Sequence, residues 1–435
     1  MSDSVSRTSA VLPRGTGSVG IWVGISGVLA YAFLAITGRA LGAQEASGLS
    51  TLWVVAFLAG NAAGFPLEQE ISRAIAQRRA RGHGIGPLVH RAAIATGAFA
   101  TLLVAGIFGA GSLIVRGLFG GDWLLLVALA VFLVGTLGEF FVRGLVAGSD
   151  QLGAYGRVLG GEAAARVAGV AVLAALGVAT APPYAFALAI APFFGLAAAL
   201  IGCDRSEFAV DGPPAPWGEL TRALGWLLGA SLFGQALINL APVFVRILAP
   251  ERRVLTSAFV ASVIVARVPI FAFQAAQASL VPRLSHHAGG GRAGQLGAET
   301  TFLARALMVF TAVAAGGAAL FGPTVVRIGW GPGFALGRGD FAVLAAASCL
   351  YLLALTFAAA LVALERPDRT TRAWALGVAV FALSVVVGND VLTRVEIGFL
   401  AGTVVASVAM WGLLRTPLRR AVDNASVPDP AVGDQ

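Results

Sequence analysis

Apolar residues in this chain come in near-continuous runs of about 20, the length that crosses the hydrocarbon of a bilayer as an α-helix. They show none of the period-two alternation of a barrel strand, so the runs read as helices, which satisfy their own backbone in lipid. The polar breaks between them define twelve spans: 19–38, 49–66, 92–110, 123–146, 155–177, 183–202, 224–246, 256–280, 302–321, 341–364, 373–392 and 397–414. The predicted fold class is therefore all-α integral membrane, about twelve transmembrane helices in two six-helix bundles. The proline-bearing stretch from Asp204 to Glu219 is the longest polar connection in mid-chain and divides the bundles. The expected organisation is an N-terminal tail (1–18), a first six-helix lobe (19–202), a linker (203–223), a second lobe (224–414) and a disordered tail (415–435).

Composition agrees with lipid as the solvent. Hydrophobic residues make up 57% of the 435 residues and charged residues 12%, with a mean hydropathy of +0.84. A soluble domain carries about a quarter charged residues. The first apolar run, from Ile21, has no small-residue cleavage site after it and is expected to stay as a span.

All 30 basic residues are Arg. Counted loop by loop, 20 lie on the side of the N-terminus and 8 on the other, with Arg166 and Arg267 inside spans. The positive-inside rule then places both termini in the cytoplasm. The net charge of +8 is spread over short loops and does not form one basic, aromatic-laced patch, so no nucleic-acid partner is expected.

The halves resemble each other. Arg39-Ala40-Leu41-Gly42 closes the first span and Arg246-Ile247-Leu248-Ala249 the seventh. Phe65 to Arg73 leads to a basic loop at Arg81-Gly82, as Phe271 to Arg283 leads to Gly289-Gly290-Gly291-Arg292. The offset of about two hundred residues is that of a parallel repeat, in which both halves enter the membrane from the same side.

Charges inside spans are costly and point to function. Arg267 lies within span eight, with Gln274 two turns on along the same face and Phe271 and Gln277 near it. A guanidinium fork suits phosphate oxygens, and a snorkelling or carbonyl-bonded arginine beside Pro269 is the structural alternative. Glu139/Arg143 and Glu162/Arg166 stand at i,i+4 with the acid first, the favoured order for an intrahelical ion pair. Asn61 and Glu68 share a face of span two, as Gln235 and Asn239 share a face of span seven. Each pair could line the space between lobes or bond helix to helix. Gly20/Gly24, Gly60/Gly64, Gly156/Gly160 and Gly225/Gly229 have the spacing that lets helices approach closely.

Several chemistries lack their motifs. The chain has no GxxxxGK[ST], HExxH or GxSxG sequence, and its four His lie in loops. Cys203 and Cys349 cannot build a disulfide framework or a CxxC site. No catalytic residue, cofactor or metal site is expected, and the protein is not expected to be an enzyme. A glycan polymerase or ligase would need a long outer loop, whereas Arg327 to Asp340 is short and glycine-rich.

The run Arg39-Ala40-Leu41-Gly42 to Gly48, the Glu68-Gln69-Glu70-Ile71-Ser72-Arg73 exit from span two and Val281-Pro282-Arg283-Leu284-Ser285 resemble Wzx-type polysaccharide flippases of the MOP superfamily. The resemblance implies V-shaped lobes around a central cavity, a bacterial inner-membrane location and a cargo of undecaprenyl-pyrophosphate-linked oligosaccharide. Membrane lipids, a glycan polymerase and glycosyltransferases are the partners it implies. It also implies a cationic cavity, for which Arg267 is the first candidate, followed by Arg39 and Arg166, with Gln274, Asn239, Gln235, Asn61 and Glu68 beside them. Twelve spans depart from the fourteen usual in lipid-II flippases. Ile21 to Thr37 lacks the acidic residue that multidrug and toxic-compound extrusion (MATE) relatives commonly carry in the first span, which weighs against a cation-coupled drug exporter, the alternative reading.

Overall fold

A computed structural model describes residues 16–221, 224–268, 293–363 and 366–425, and among these there is no strand. The helices are α1 (Thr16–Ala80), α2 (Gly86–Gly109), α3 (Gly111–Gly117), α4 (Trp123–Gly148), α5 (Leu152–Ala175), α6 (Ala181–Ala199) and α7 (Gly218–Thr221). In the second half come α8 (Leu224–Leu248), α9 (Arg253–Ala266), α10 (Ala293–Trp330), α11 (Arg338–Ala363), α12 (Pro367–Ser384) and α13 (Val391–Ala425). Among the described residues, nine helical stretches are long and apolar enough to cross a membrane.

α1 supplies two of the expected spans. Gly42 breaks it with φ 71° and ψ 167°, a conformation a side chain would resist. The arms 16–41 and 43–80 fold back on each other, because Phe33 stacks on Trp53 with ring centroids 5.0 Å apart. In a straight helix, at 1.5 Å per residue, those rings would be about 30 Å apart.

The first lobe packs α1 against α4, α5 and α6, and the second packs α10 on α11 and α13 on α11 and α12. Two of the glycine pairs pack at both positions: Gly60/Gly64 meet Thr136 and Phe140 of α4, and Gly156/Gly160 of α5 form a notch filled by the Trp22 indole. Gly20 and Gly24 face open space. The lobes meet along α1 with α8 and α9.

Both described chain ends lie on one face. Trp22 reaches Gly156 near the α4–α5 turn, Arg79 pairs with Asp150 of that turn, and Arg73 donates to the Glu219 carbonyl. Thr371 then bonds the Trp226 carbonyl, and Arg369 bonds that of Leu413. This terminal face lies opposite a distal face built from the Gly42 turn and the ends of α3, α8 and α10.

The boundaries differ from expectation where charges enter helices. The second arm of α1 runs to Ala80, so Arg73, Arg78 and Arg79 are helical and not in a loop. Their carboxylate and carbonyl partners offset the exposure of a charged helix end: Arg78 is buried, with Nε donating to Glu219 Oε2 at 2.9 Å, one terminal nitrogen to Pro213 O at 2.9 Å and the other to Pro214 O at 3.2 Å. The linker is thus docked on the first lobe. α13 continues to Ala425, where a disordered tail from 415 was expected.

Candidate functional site

Arg267 caps the C-terminus of α9. At 1.5 Å per residue it stands about 20 Å from the distal start of that helix, deep in the membrane. One terminal nitrogen donates to Asn239 Oδ1 of α8 at 3.0 Å and the other to the carbonyl of Ile238. Asn239 is fixed in turn, because its Nδ2 donates to both the carbonyl and the Oε1 of Gln235, each at 3.0 Å. The i,i+4 spacing of Gln235 and Asn239 places both on the face that receives Arg267.

The first lobe completes this site. The Tyr31 hydroxyl, from the first arm of α1, donates to Ile264 O of α9 at 2.7 Å. Tyr31 and Tyr351 both lie within electrostatic reach of the guanidinium, and Tyr351 packs on Trp374 with centroids 5.1 Å apart. Arg267 therefore sits where the first arm of α1 meets α8, α9 and α11. Its partners are all neutral: among the described residues no carboxylate pairs with it, and the sequence from 269 to 292 holds neither Asp nor Glu. Its Nε is buried and lacks a hydrogen-bond partner among the described residues. Such a group can grip an anion with a directed N–H and an uncompensated charge.

The buried arginines of the first lobe are held differently. Arg166 pairs with Glu162 at 2.5 Å on α5 and lies over the Trp53 and Phe57 rings, 5.4 and 5.8 Å from their centroids. Arg143 of α4 pairs with Glu68 of α1 at 2.8 Å and donates to the Tyr155 hydroxyl at 2.7 Å. That hydroxyl donates to Glu68 Oε1 at 2.8 Å. The intrahelical Glu139–Arg143 pair is stretched to 4.0 Å, because the shorter Glu68 contact draws the guanidinium across to α1. These are compensated charges.

The remaining candidates are dispersed. The Asn61 carbonyl accepts from Ser231 Oγ of α8 at 3.3 Å, which places Asn61 at the seam between lobes. Arg39 is exposed on the distal face, where it donates to Gly329 O at 2.8 Å and to the carbonyl of Ile328. Gln274 lies outside the described residues. Tyr31, Tyr155 and Tyr351 did not emerge from the sequence as candidates, although a signal existed. The chain has only 4 Tyr, and a phenol placed in an apolar span needs a polar partner.

No protein-family model matches the sequence, and no curated relative does. Solved structures match over nearly the whole chain. An inward-facing multidrug resistance MATE family transporter of the MOP superfamily superposes with a TM-score of 0.75 at 13% identity, covering 94% of this chain and 99% of that one. An outward-facing transporter of that description gives 0.63 at 16% identity over 93% and 95% of the two chains. A Vibrio cholerae MATE transporter gives 0.65 at 14% identity over 94% and 98%. The chain has the two-lobe membrane fold of MATE transporters.

Proposed function

We propose that this chain is a flippase of bacterial polysaccharide or lipopolysaccharide biosynthesis. It moves undecaprenyl-pyrophosphate-linked oligosaccharide across the cytoplasmic membrane by alternating access, with both termini in the cytoplasm. The observation that carries the reading is Arg267, a half-buried cation at the lobe seam whose partners among the described residues are all neutral. Burying an uncompensated charge costs several kcal/mol, and an anionic cargo offsets that cost each time it binds. The pyrophosphate meets Arg267, Asn239 orients the guanidinium, the glycan occupies the polar seam and the polyprenyl tail stays in lipid.

The tighter overlay with an inward-facing neighbour than with an outward-facing one supports a state closed at the distal end. Those neighbours are described as multidrug transporters. For a cationic drug the corresponding group here would be a loosely paired carboxylate, and Glu139, 4.0 Å from Arg143, is the candidate.

Liposomes containing the purified protein and a fluorescent short-chain polyprenyl-pyrophosphate oligosaccharide test the proposal, with lectin capture reporting the leaflet. The expected result is flipping that Arg267→Ala slows roughly 10- to 100-fold and Arg267→Lys restores in part, the lysine lacking the bidentate fork. Absence of flipping, with cationic-dye export that depends on Glu139 and not on Arg267, would overturn it in favour of the drug exporter.

A further inference from the structure

The two halves hold each other at the distal face through one contact made twice. Arg39, at the end of the first arm of α1, donates to the carbonyls of Ile328 and Gly329 in the last turn of α10, in the second lobe. Arg246, near the end of α8, donates through Nε to Leu118 O at 3.0 Å, at the C-terminus of α3 in the first lobe. Arg246 also donates to Pro250 O of its own turn at 3.1 Å.

Donors and acceptors correspond across the repeat. Arg39 and Arg246 occupy matching positions of the motif that closes spans one and seven. Ile328 and Leu118 end the third helical passage of each half. In each case a guanidinium from one lobe satisfies carbonyls that a helix terminus leaves without an internal partner, at the negative end of its dipole.

Around the pair the seam is dry. Gly38 abuts the Trp330 ring, and a Cβ there would approach Trp330 Cδ1 to 2.6 Å. Ser257 Oγ donates to the Ala43 carbonyl at 2.6 Å. Thr37 and Ser257 are 2% and 1% exposed, and one hydrophobic core runs from Phe33 and Leu41 across to Val260, Trp330 and Phe334.

We propose that Arg39 and Arg246 form a reciprocal latch that holds the distal end of the transporter closed and must release both helix ends for that end to open. The latch rests on the two-state transporter reading above but not on the identity of the cargo. The halves of the latch are unequal. Arg246 is buried and Arg39 exposed, so water competes for the carbonyls at Arg39 more than at Arg246.

The test uses the full chain with Cys203 and Cys349 replaced by Ser and a single reporter cysteine, Thr37→Cys, labelled from the distal side by a membrane-impermeant maleimide. Only protein recovered from the membrane is scored, and no cargo is needed, so the result stands apart from the flipping assay. Arg246→Ala is expected to speed labelling about tenfold, the scale of losing one charge-assisted hydrogen bond. Arg39→Ala is expected to speed it less and the double variant most. Arg39→Lys and Arg246→Lys keep the charge and one donor and are expected to give intermediate rates, which covers the case in which an alanine variant does not accumulate. Parental labelling rates in the alanine variants, or in the lysine variants where only those accumulate, would overturn the latch.

Discussion

The two lobes bury arginine on different terms. In the first lobe Arg166 and Arg143 each face a carboxylate, at 2.5 Å from Glu162 and 2.8 Å from Glu68, and aromatic rings cover them. In the second lobe Arg267 bonds an amide oxygen and a carbonyl, and among the described residues no carboxylate pairs with it. Depth in the membrane is therefore a poor guide to a cargo site, and the accounting of charge around each guanidinium is the better one. A compensated arginine contributes to a lobe's structure, and under the proposed function the uncompensated one is left to meet the cargo.

That contrast can be broken most directly in the first lobe. Glu162→Gln strands the Arg166 charge and is expected to cost about 3–5 kcal/mol of stability, read as a lower thermal midpoint and less protein in the membrane. If this variant is as stable as the parent, Arg166 is not held by its carboxylate and the distinction between lobes fails. Arg267→Ala is expected to act the other way round: transport falls roughly 10- to 100-fold, the equivalent of about 1.5–3 kcal/mol of charge-assisted bonding to cargo, while the thermal midpoint holds. A fall in midpoint matching that of Glu162→Gln would make Arg267 a structural residue.

Asn239→Ala removes the acceptor that aims the guanidinium and is expected to cost about 1 kcal/mol of cargo affinity, a fewfold effect seen at limiting cargo and lost at saturation. Gln235→Ala, one bond further out, is expected to give the smallest change, under about twofold, since it acts only through Asn239. An effect of Gln235→Ala larger than that of Asn239→Ala would mean that the amide relay runs in another direction.

Much of the architecture was legible because lipid imposes it. The spacing of polar breaks located the helices, and the arginine-glycine motif at Arg39 to Gly42 marked the turn that α1 makes. The i,i+4 rule found Glu162–Arg166 and the Gln235–Asn239 pair, since both are local. It also found Glu139–Arg143, at 4.0 Å, but not the stronger partner of Arg143, Glu68, which comes from another helix and which no spacing within α4 encodes. For the same reason the sequence pointed from Arg267 to Gln274 along the chain, whereas the contacts observed for Arg267 run across to Asn239 and Ile238 on α8. Arg39 shows the converse: its residue type and position in the repeat were readable, but the helix end it holds lies 290 residues away.

The docked linker has a consequence for how the chain is made. Arg78 is synthesised 141 residues ahead of Glu219, the carboxylate that neutralises it. Until that segment leaves the ribosome, the terminal end of α1 carries a bare cation that water has to solvate. The first bundle therefore gains this charge partner only after all six of its spans have been made, which ties the finish of its terminal face to the arrival of the linker.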